Sequence, residues 1–255
     1  MALVADKKAL IFGVANDHSI AWAIAQALHR EGAELGFTYV NEAIEKRVRP
    51  LAESLGVSTV LPCDVSKDGE IVGTFEAIKE RWGQVDIVIH AVAFALREEL
   101  KGRTLDTSRT GFHLALDIST YSLIAIARCA EPLMTPGASL LALSYLGAER
   151  VVPNYNVMGI AKAALEAGVR YLAYDLGPRG IRVNAISAGP IRTLSSAGIS
   201  GFKDMLHHHE ARAALRRGVA SDEVAAAALY LCSDLGSGVT GEVLHVDCGY
   251  SIVGM

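Results

Sequence analysis

The sequence lacks most of what marks a secreted, fibrous or nucleic-acid-binding chain. Cysteine is scarce: Cys63, Cys129, Cys232 and Cys248 lie far apart and form no Cys-x-x-Cys pair. That excludes a disulfide framework and a thiolate metal site, and suits free core thiols in a reducing compartment. A basic excess is missing too. The 24 Lys and Arg stand against 28 Asp and Glu, for a net charge of −4. Nothing is left over to neutralise a phosphate backbone, so nucleic acid is not an expected partner. The stretch from Met1 to Lys8 is charged rather than apolar, so no secretory leader is expected there. No apolar run is expected to reach the roughly 20 residues that cross a bilayer. Linkers, repeats and low-complexity segments are absent. The expectation is a soluble, cytoplasmic protein.

What the chain does have is a large apolar share, 51% of 255 residues, enough to bury a sizeable core in one domain spanning 1–255. Short apolar runs recur along its length: Ala9–Phe12, Leu35–Tyr39, Ser58–Leu61, Val85–His90, Ser139–Leu143, Ile181–Ile186 and Val243–Val246. Nearly continuous apolar strands of this kind suit a parallel sheet covered on both faces. Helical spacing lies between them. Ile20, Ala23, Ile24, Ala27 and Leu28 mark one helix, with Ser19 as its N-cap and Gly32 as its stop. Ile71, Phe75, Ile78 and Trp82 mark a second, and Met158, Leu165, Val169 and Leu172 a third. Parallel neighbours need crossover connections, so the alternation predicts an α/β fold: a Rossmann-type, doubly wound parallel sheet with helices on both faces.

The carboxyl ends of such strands are where a ligand sits. Gly13-Val14-Ala15-Asn16-Asp17-His18-Ser19-Ile20 joins the first strand to the first helix. Gly13 permits a tight turn, Ala15 lets backbone approach a pyrophosphate, and the helix start offers unpaired N–H groups. This is not G-x-G-x-x-G, and an ordinary tight turn is the competing reading. Strand three ends at Asp64, placed to accept from an adenine amino group; a plain helix N-cap is a compatible reading. Strand four ends in the small residues Ala91 to Ala95, suited to lie against a ribose. Strand two ends at Tyr39-Val40-Asn41-Glu42, with Lys46 and Arg47 well into the following helix. Without a cation there for a 2′-phosphate, NADH is expected over NADPH.

After strand five come Tyr145 and then Tyr155, with Lys162 seven residues beyond. On a helix, seven residues return to nearly the same face two turns along. A cation so placed favours phenolate character and can hold ribose hydroxyls.

These segments resemble the short-chain dehydrogenase/reductase superfamily and, within it, the bacterial enoyl-acyl-carrier-protein reductases. The resemblance covers essentially the whole chain. It is most specific at Gly13–Ala21, Ser144–Lys162 (SYLGAERVVPNYNVMGIAK), Val183–Leu194 (VNAISAGPIRTL) and Thr240–Tyr250 (TGEVLHVDCGY). The resemblance implies hydride transfer from NADH to the β-carbon of an enoyl thioester, carried by the acyl carrier protein in fatty acid biosynthesis. Tyr155 would hydrogen-bond the thioester carbonyl, Lys162 would bind the nicotinamide ribose, and Tyr145 would be a second active-site tyrosine near the acyl chain. Gly13, Ser19, Ile20, Asp64, Val65, Val92, Ile191, Arg192, Thr193 and Leu194 would contact NADH, and Ala95 the substrate. Carbonyl-reducing relatives usually carry a serine thirteen residues before the tyrosine; Ala142 stands there, with Tyr145 ten before Tyr155. The chain departs from the usual pattern at Val40 (glutamine) and at Ala91-Val92-Ala93 (serine-isoleucine-glycine). A carbonyl (3-oxoacyl) reductase and a non-catalytic NAD(H)-binding regulator are the alternative readings.

Other features are expected to carry no chemistry. His207-His208-His209 resembles a metal cluster, but consecutive residues point to different sides of a helix, so no metal is expected. A solvated helix within a substrate-covering segment of about 194–212 is the expectation. Arg216-Arg217 reads equally as an attractor for an acidic carrier or as a solvated helix end. The apolar end Tyr250–Met255 is expected to bury against another subunit, and the resemblance implies a homotetramer.

Overall fold

Side chains along the strands alternate between two cores, as a pleat of period two requires. The structure, a computed structural model, describes residues 2–194 and 201–254. Its strands are β1 (Lys8–Phe12), β2 (Glu34–Tyr39), β3 (Thr59–Pro62), β4 (Ile87–His90), β5 (Ser139–Ser144), β6 (Arg182–Ala188) and β7 (Val243–Val246). All pair in parallel in the order β3-β2-β1-β4-β5-β6-β7. Ala9, Ile11, Ile87, Ile89, Leu141 and Ile186 face one core. Leu10, Phe12, Val88, Leu140, Val183 and Ala185 face the other. Both faces are therefore apolar, as the continuous runs in the sequence predict.

The first core is closed by α1 (Ile20–Arg30), α2 (Glu42–Ser54) and α8 (Ser221–Cys232); the second by α3 (Asp68–Trp82), α5 (Ser122–Ala130) and α6 (Val157–Leu176). Helix α4 (Arg109–Leu116) runs through a π turn, Asp117–Tyr121, into α5, and α7 (Phe202–Arg212) precedes α8. The π turn is tied down by side chains. Ser119 Oγ accepts from Phe94 N at 3.0 Å, and Thr120 Oγ1 donates to Ala161 O of α6 at 2.8 Å. The continuous helical stretch Arg109–Leu133 corrects one expectation: by length and composition alone it is apolar enough to cross a membrane. Its Leu123, Ala125, Ile126 and Ala127 are instead buried in the second core.

One buried cation joins β6 to the end of α8. The Arg182 guanidinium donates to Leu231 O, to Gly236 O at 3.0 Å and to Ser233 O at 3.2 Å. It thereby satisfies carbonyls that the helix end leaves without partners. Replacing Arg182 by Met strands those acceptors, so urea unfolding is expected to show a loss of about 2–4 kcal/mol with the parallel sheet retained.

Candidate active site

A parallel sheet brings every strand's carboxyl end to one edge, and the strand order reverses between β1 and β4. At that point Gly13 adopts φ +99°, and a Cβ there would lie 2.1 Å from the Ala91 carbonyl oxygen. The loops leaving β1 and β4 therefore meet backbone to backbone, which only glycine permits. Ser19 occupies the N-cap position of α1, but its hydroxyl does not cap the helix as expected. It turns back and accepts from Ala15 N and Asn16 N, both at 3.1 Å, stiffening the loop. The first-turn amides, Ile20 among them, have no partner within the helix and carry its positive dipole end. These features fit an anionic dinucleotide.

The other expected cofactor residues lie along the same edge. Asp64 follows β3, and its Oδ1 accepts from Ser66 N at 3.1 Å and from Ser66 Oγ at 2.7 Å. It therefore organises a turn rather than capping α3, whose N-cap is Lys67. Burial raises its pKa, but the Ser66 bonds and nearby Lys67 outweigh this and hold the carboxyl below its ordinary value. Val65 is buried and Val92 half-buried. Beyond β6, Ile191 packs against the first core; Thr193 is half-buried, and Arg192 and Leu194 are exposed. Beyond the end of β2, Lys46 pairs with Glu42 at 2.6 Å and Arg49 pairs with Glu45. Asn41 caps α2 by accepting from Ile44 N at 3.1 Å.

Tyr155 does not lie on a helix with Lys162, contrary to the sequence reading. Helix α6 begins at Val157, and Asn156 ahead of it has φ 41° and ψ −118°, so a turn orients Tyr155. Packing completes the placement. The Tyr145 and Tyr155 rings meet edge to face, with centroids 5.0 Å apart at 73°. The Gly147 backbone underlies Tyr155, where a Cβ would lie 2.4 Å from the ring. Tyr155, Met158, Leu100 and Ala115 form a small apolar cluster apart from the two main cores, and Ala95 and Tyr145 pack against it. Tyr145 Oη donates to Met205 Sδ of α7 at 3.2 Å.

The electrostatics also correct the expected phenolate character. Burial raises the Tyr155 phenol well above its ordinary pKa, and the fields of Tyr145 and Glu166 add to that. Tyr145 is pushed up to about 12, mainly by burial. Both are neutral donors at physiological pH. Lys162 is buried, and its Nζ donates to Leu143 O of β5 at 2.6 Å. Desolvation brings its pKa down to about 8, opposed by Glu166.

Sequence reading missed five residues here. Met158 and Met205 carried no signal beyond apolarity. Glu166 stands one turn after Lys162, a spacing that was legible; Ser144 donates to its carboxylate. His90 was visible as an odd polar end to an apolar strand. It is wholly buried, and its Nε2 lies 2.8 Å from Ser122 Oγ. That hydroxyl donates to Ile118 O at 2.6 Å, so Nε2 is the donor to it.

Elsewhere the expectations divide. His207 and His208 are exposed as expected, but His209 is buried and stacks on Tyr250 at 4.7 Å. It faces inward because α7 lies against the C-terminal segment. Residues 195–200 of the expected substrate-covering segment lie outside the described residues. Arg217 is paired with Glu223 at 2.6 Å, and Glu223 also accepts from Ala220 N at the start of α8. This favours the helix-end reading for that arginine.

A profile of the enoyl-(acyl carrier protein) reductase family matches residues 13–251. The chain belongs to that family. It is 56% identical over 252 residues to an NADH enoyl-acyl-carrier-protein reductase of Nostoc sp., covering 98% of each chain. It is likewise 56% identical over 256 residues to that of Bacillus cereus, covering 100% of each. Among solved structures, the Bacillus cereus reductase with NADP+ and an indole naphthyridinone superposes with a TM-score of 0.98, at 55% identity over 100% of both chains. The Anaplasma phagocytophilum reductase in complex with NAD gives 0.96 at 57% identity, covering 99% of this chain and 97% of that one.

Two predictions follow from this geometry. Gly147→Ala drives a methyl into the Tyr155 ring, so kcat/KM for enoyl reduction is expected to fall at least about tenfold, with stability lowered by about 1–3 kcal/mol. A variant with wild-type turnover would show that the ring position is immaterial. Burial lowers the His90 pKa from 6.5 to about 3, with Lys162 adding to the effect. Its neutral form is thus the folded one. Its contribution is complete above the unfolded value near 6.5 and is lost progressively as pH falls towards 3, by roughly 3–5 kcal/mol at the limit. His90→Asn is expected to flatten that acid limb in denaturant titrations across pH.

Proposed function

We propose that this chain is an NADH-dependent enoyl-acyl-carrier-protein reductase, which saturates the carbon–carbon double bond of a fatty-acyl thioester in fatty acid biosynthesis. The observation that carries the reading is the pair of neutral phenols, Tyr145 and Tyr155, in edge-to-face contact, with the buried Lys162 on the helix that follows them. Family membership and relatives named for this reaction, similar over the full chain, support it.

NADH held at the Gly13–Ala91 crossing would supply the hydride for the β-carbon, and the α-carbon would take up a proton afterwards. The loop tied by Ser19 and the start of α1 at Ile20 hold its pyrophosphate. Asp64 and Val65 take the adenine end, Val92 a ribose, and Ile191, Arg192, Thr193 and Leu194 the nicotinamide side. Lys162 holds the nicotinamide ribose. Ala95 and Tyr145 line the acyl pocket, and α7 covers it, with Met205 against Tyr145. Tyr155 donates to the thioester oxygen, where negative charge collects as the double bond is reduced. A neutral donor suits that role, since it strengthens its bond as charge develops without surrendering its proton beforehand. Ala142 is a buried methyl on β5 and offers no second hydroxyl of the kind carbonyl-reducing relatives use.

The enzyme works in the cytoplasm as a homotetramer of single-domain subunits. Exposed apolar side chains support the assembly: Tyr121 and Ile124 beside Ile160, Tyr171 (76%) and Tyr174 (83%) along α6, and Ile252 (79%) near the C-terminus. Such surface is normally covered by a partner. Four free cysteines support a reducing compartment.

Oxidation of NADH with crotonyl and acetoacetyl thioesters tests the activity, with NADPH in parallel. Turnover of the enoyl substrate with NADH is expected, and preference for the acetoacetyl thioester would establish a carbonyl reductase instead. Tyr155→Phe is expected to lower kcat/KM about 100-fold or more, as loss of one oxyanion donor does. Full activity in that variant would remove the phenol from the chemistry.

A further inference from the structure

The buried ammonium of Lys162 sits where charge is hardest to keep. Its Nζ hydrogen-bonds a carbonyl, Leu143 O, which orients it but brings no negative charge. Among the described residues it has no ion pair within 4.0 Å. One turn further along α6 stands Glu166, itself buried at 6% exposure. A buried carboxylate without direct cationic contact is costly unless something holds it. Ser144 does so: its hydroxyl, at the end of β5 and next to Tyr145, donates to Glu166 Oε1. Ser144 and Glu166 thus bridge the end of the strand that leads into Tyr145 and the helix that carries Lys162.

We propose that Glu166 is a positioning residue for the reaction: anchored by Ser144, its carboxylate supplies the negative field that keeps Lys162 an ammonium ion. The inference rests on the reductase reading only for its catalytic arm. Beside the Leu143 carbonyl, the Glu166 charge opposes the desolvation of Lys162. The nearby titratable groups bring no negative charge that would compete for that task. His90 of β4 is neutral, and Tyr155, ahead of α6, stays protonated. The Glu166 pKa itself stands above its ordinary value, chiefly because of burial and also Glu149, against the lowering effects of the Ser144 bond, His245 of β7 and Arg170 of α6. Losing the negative charge would leave Lys162 neutral over part of the working pH range. A neutral amine holds ribose hydroxyls less strongly than a charged donor does.

Two readouts test this on the intact protein. The first is competitive acetylation of Lys162 by acetic anhydride against pH, followed by peptide mapping, with no cofactor or substrate present. Glu166→Gln keeps a carbonyl for Ser144 and removes the charge. Its Lys162 midpoint is expected about one unit or more below that of wild type. Glu166→Asp keeps the charge and is expected to restore most of the shift; a merely structural role would make Asp, the shorter side chain, no better than Gln. The second readout is the alkaline limb of kcat/KM for NADH-dependent enoyl reduction, expected to move to lower pH in parallel. Equal midpoints for wild type and Glu166→Gln, or equal falls in Gln and Asp, would overturn the proposal. Should the Gln variant not fold, the Asp and Asn pair carries the same comparison. A wild-type midpoint well below 7 would also overturn it, since no countercharge would then be acting. A labelling shift in a protein that reduces no enoyl thioester would leave the role of Glu166 standing and remove the reductase reading.

Discussion

Everything at the chemical end of this molecule depends on keeping one cation out of water. Lys162 is 6% exposed, and its ammonium is held by a 2.6 Å bond to the Leu143 carbonyl of β5. Burying an ammonium costs several kcal/mol unless the surroundings compensate. The surroundings therefore have to be arranged around it. His90 stays neutral on one side, tied through Nε2 to a Ser122 hydroxyl that is itself committed to Ile118 O. Helix α6, which carries Lys162, is tied to the π turn by Thr120. The same desolvation that lowers the Lys162 pKa raises those of Tyr145 and Tyr155, so cation and phenols all stand as donors. A site filled with donors and short of acceptors is suited to an oxygen atom that becomes negative.

The sheet brings these groups to one place. Register aligns the strand ends: Phe12 with His90, His90 with Ala142, and Ser144 with Ser187. All three pairings lie at or near the last residues before the loops that build the site. Because neighbours are parallel, the loops after β1, β4, β5 and β6 emerge on the same edge. The close approach of Gly13 to Ala91 then narrows the gap between the two halves of the sheet. Small residues after β4 are thus a packing requirement as much as a binding one.

Legibility in the sequence followed burial. All seven strands were visible, because strands covered on both faces read as continuous apolar runs. Helices α1, α3 and α6 were visible because each shows one apolar stripe. Helix α2 was expected after strand two but shows no apolar stripe: it buries only Val48 and Ala52 and contains Pro50. The helical stretch from α4 through α5 was obscured by its break at the π turn. At the site, Tyr155 and Lys162 were found for an incomplete reason. Helical spacing suggested a shared face, whereas Asn156 in a left-handed conformation ends the helix before Tyr155, and the Tyr145 ring and Gly147 set its position. Contacts between distant segments leave no periodicity, which is why Met205 and the burial of His209 escaped the sequence.

The contact between Tyr145 and Met205 shows how α7 meets the sheet side of the site. Tyr145 is fixed by its place after β5 and by its ring contact with Tyr155. Its hydroxyl donates to a thioether sulfur on α7, a weak acceptor. A buried phenol with so poor a partner keeps most of its capacity to hydrogen-bond, and a thioester oxygen is the stronger acceptor. Met205 is unbranched and rotates at low cost, so it can yield the hydroxyl to a better partner without stranding a charge. His209 ties the same helix to Tyr250 by ring stacking, again without an ion pair. Helix α7 thus meets the site through apolar and weakly polar contacts, while the charged groups stay on the sheet and α6. A shift of α7 would break soft contacts only, and the phenols and Lys162 would remain where the sheet and α6 hold them.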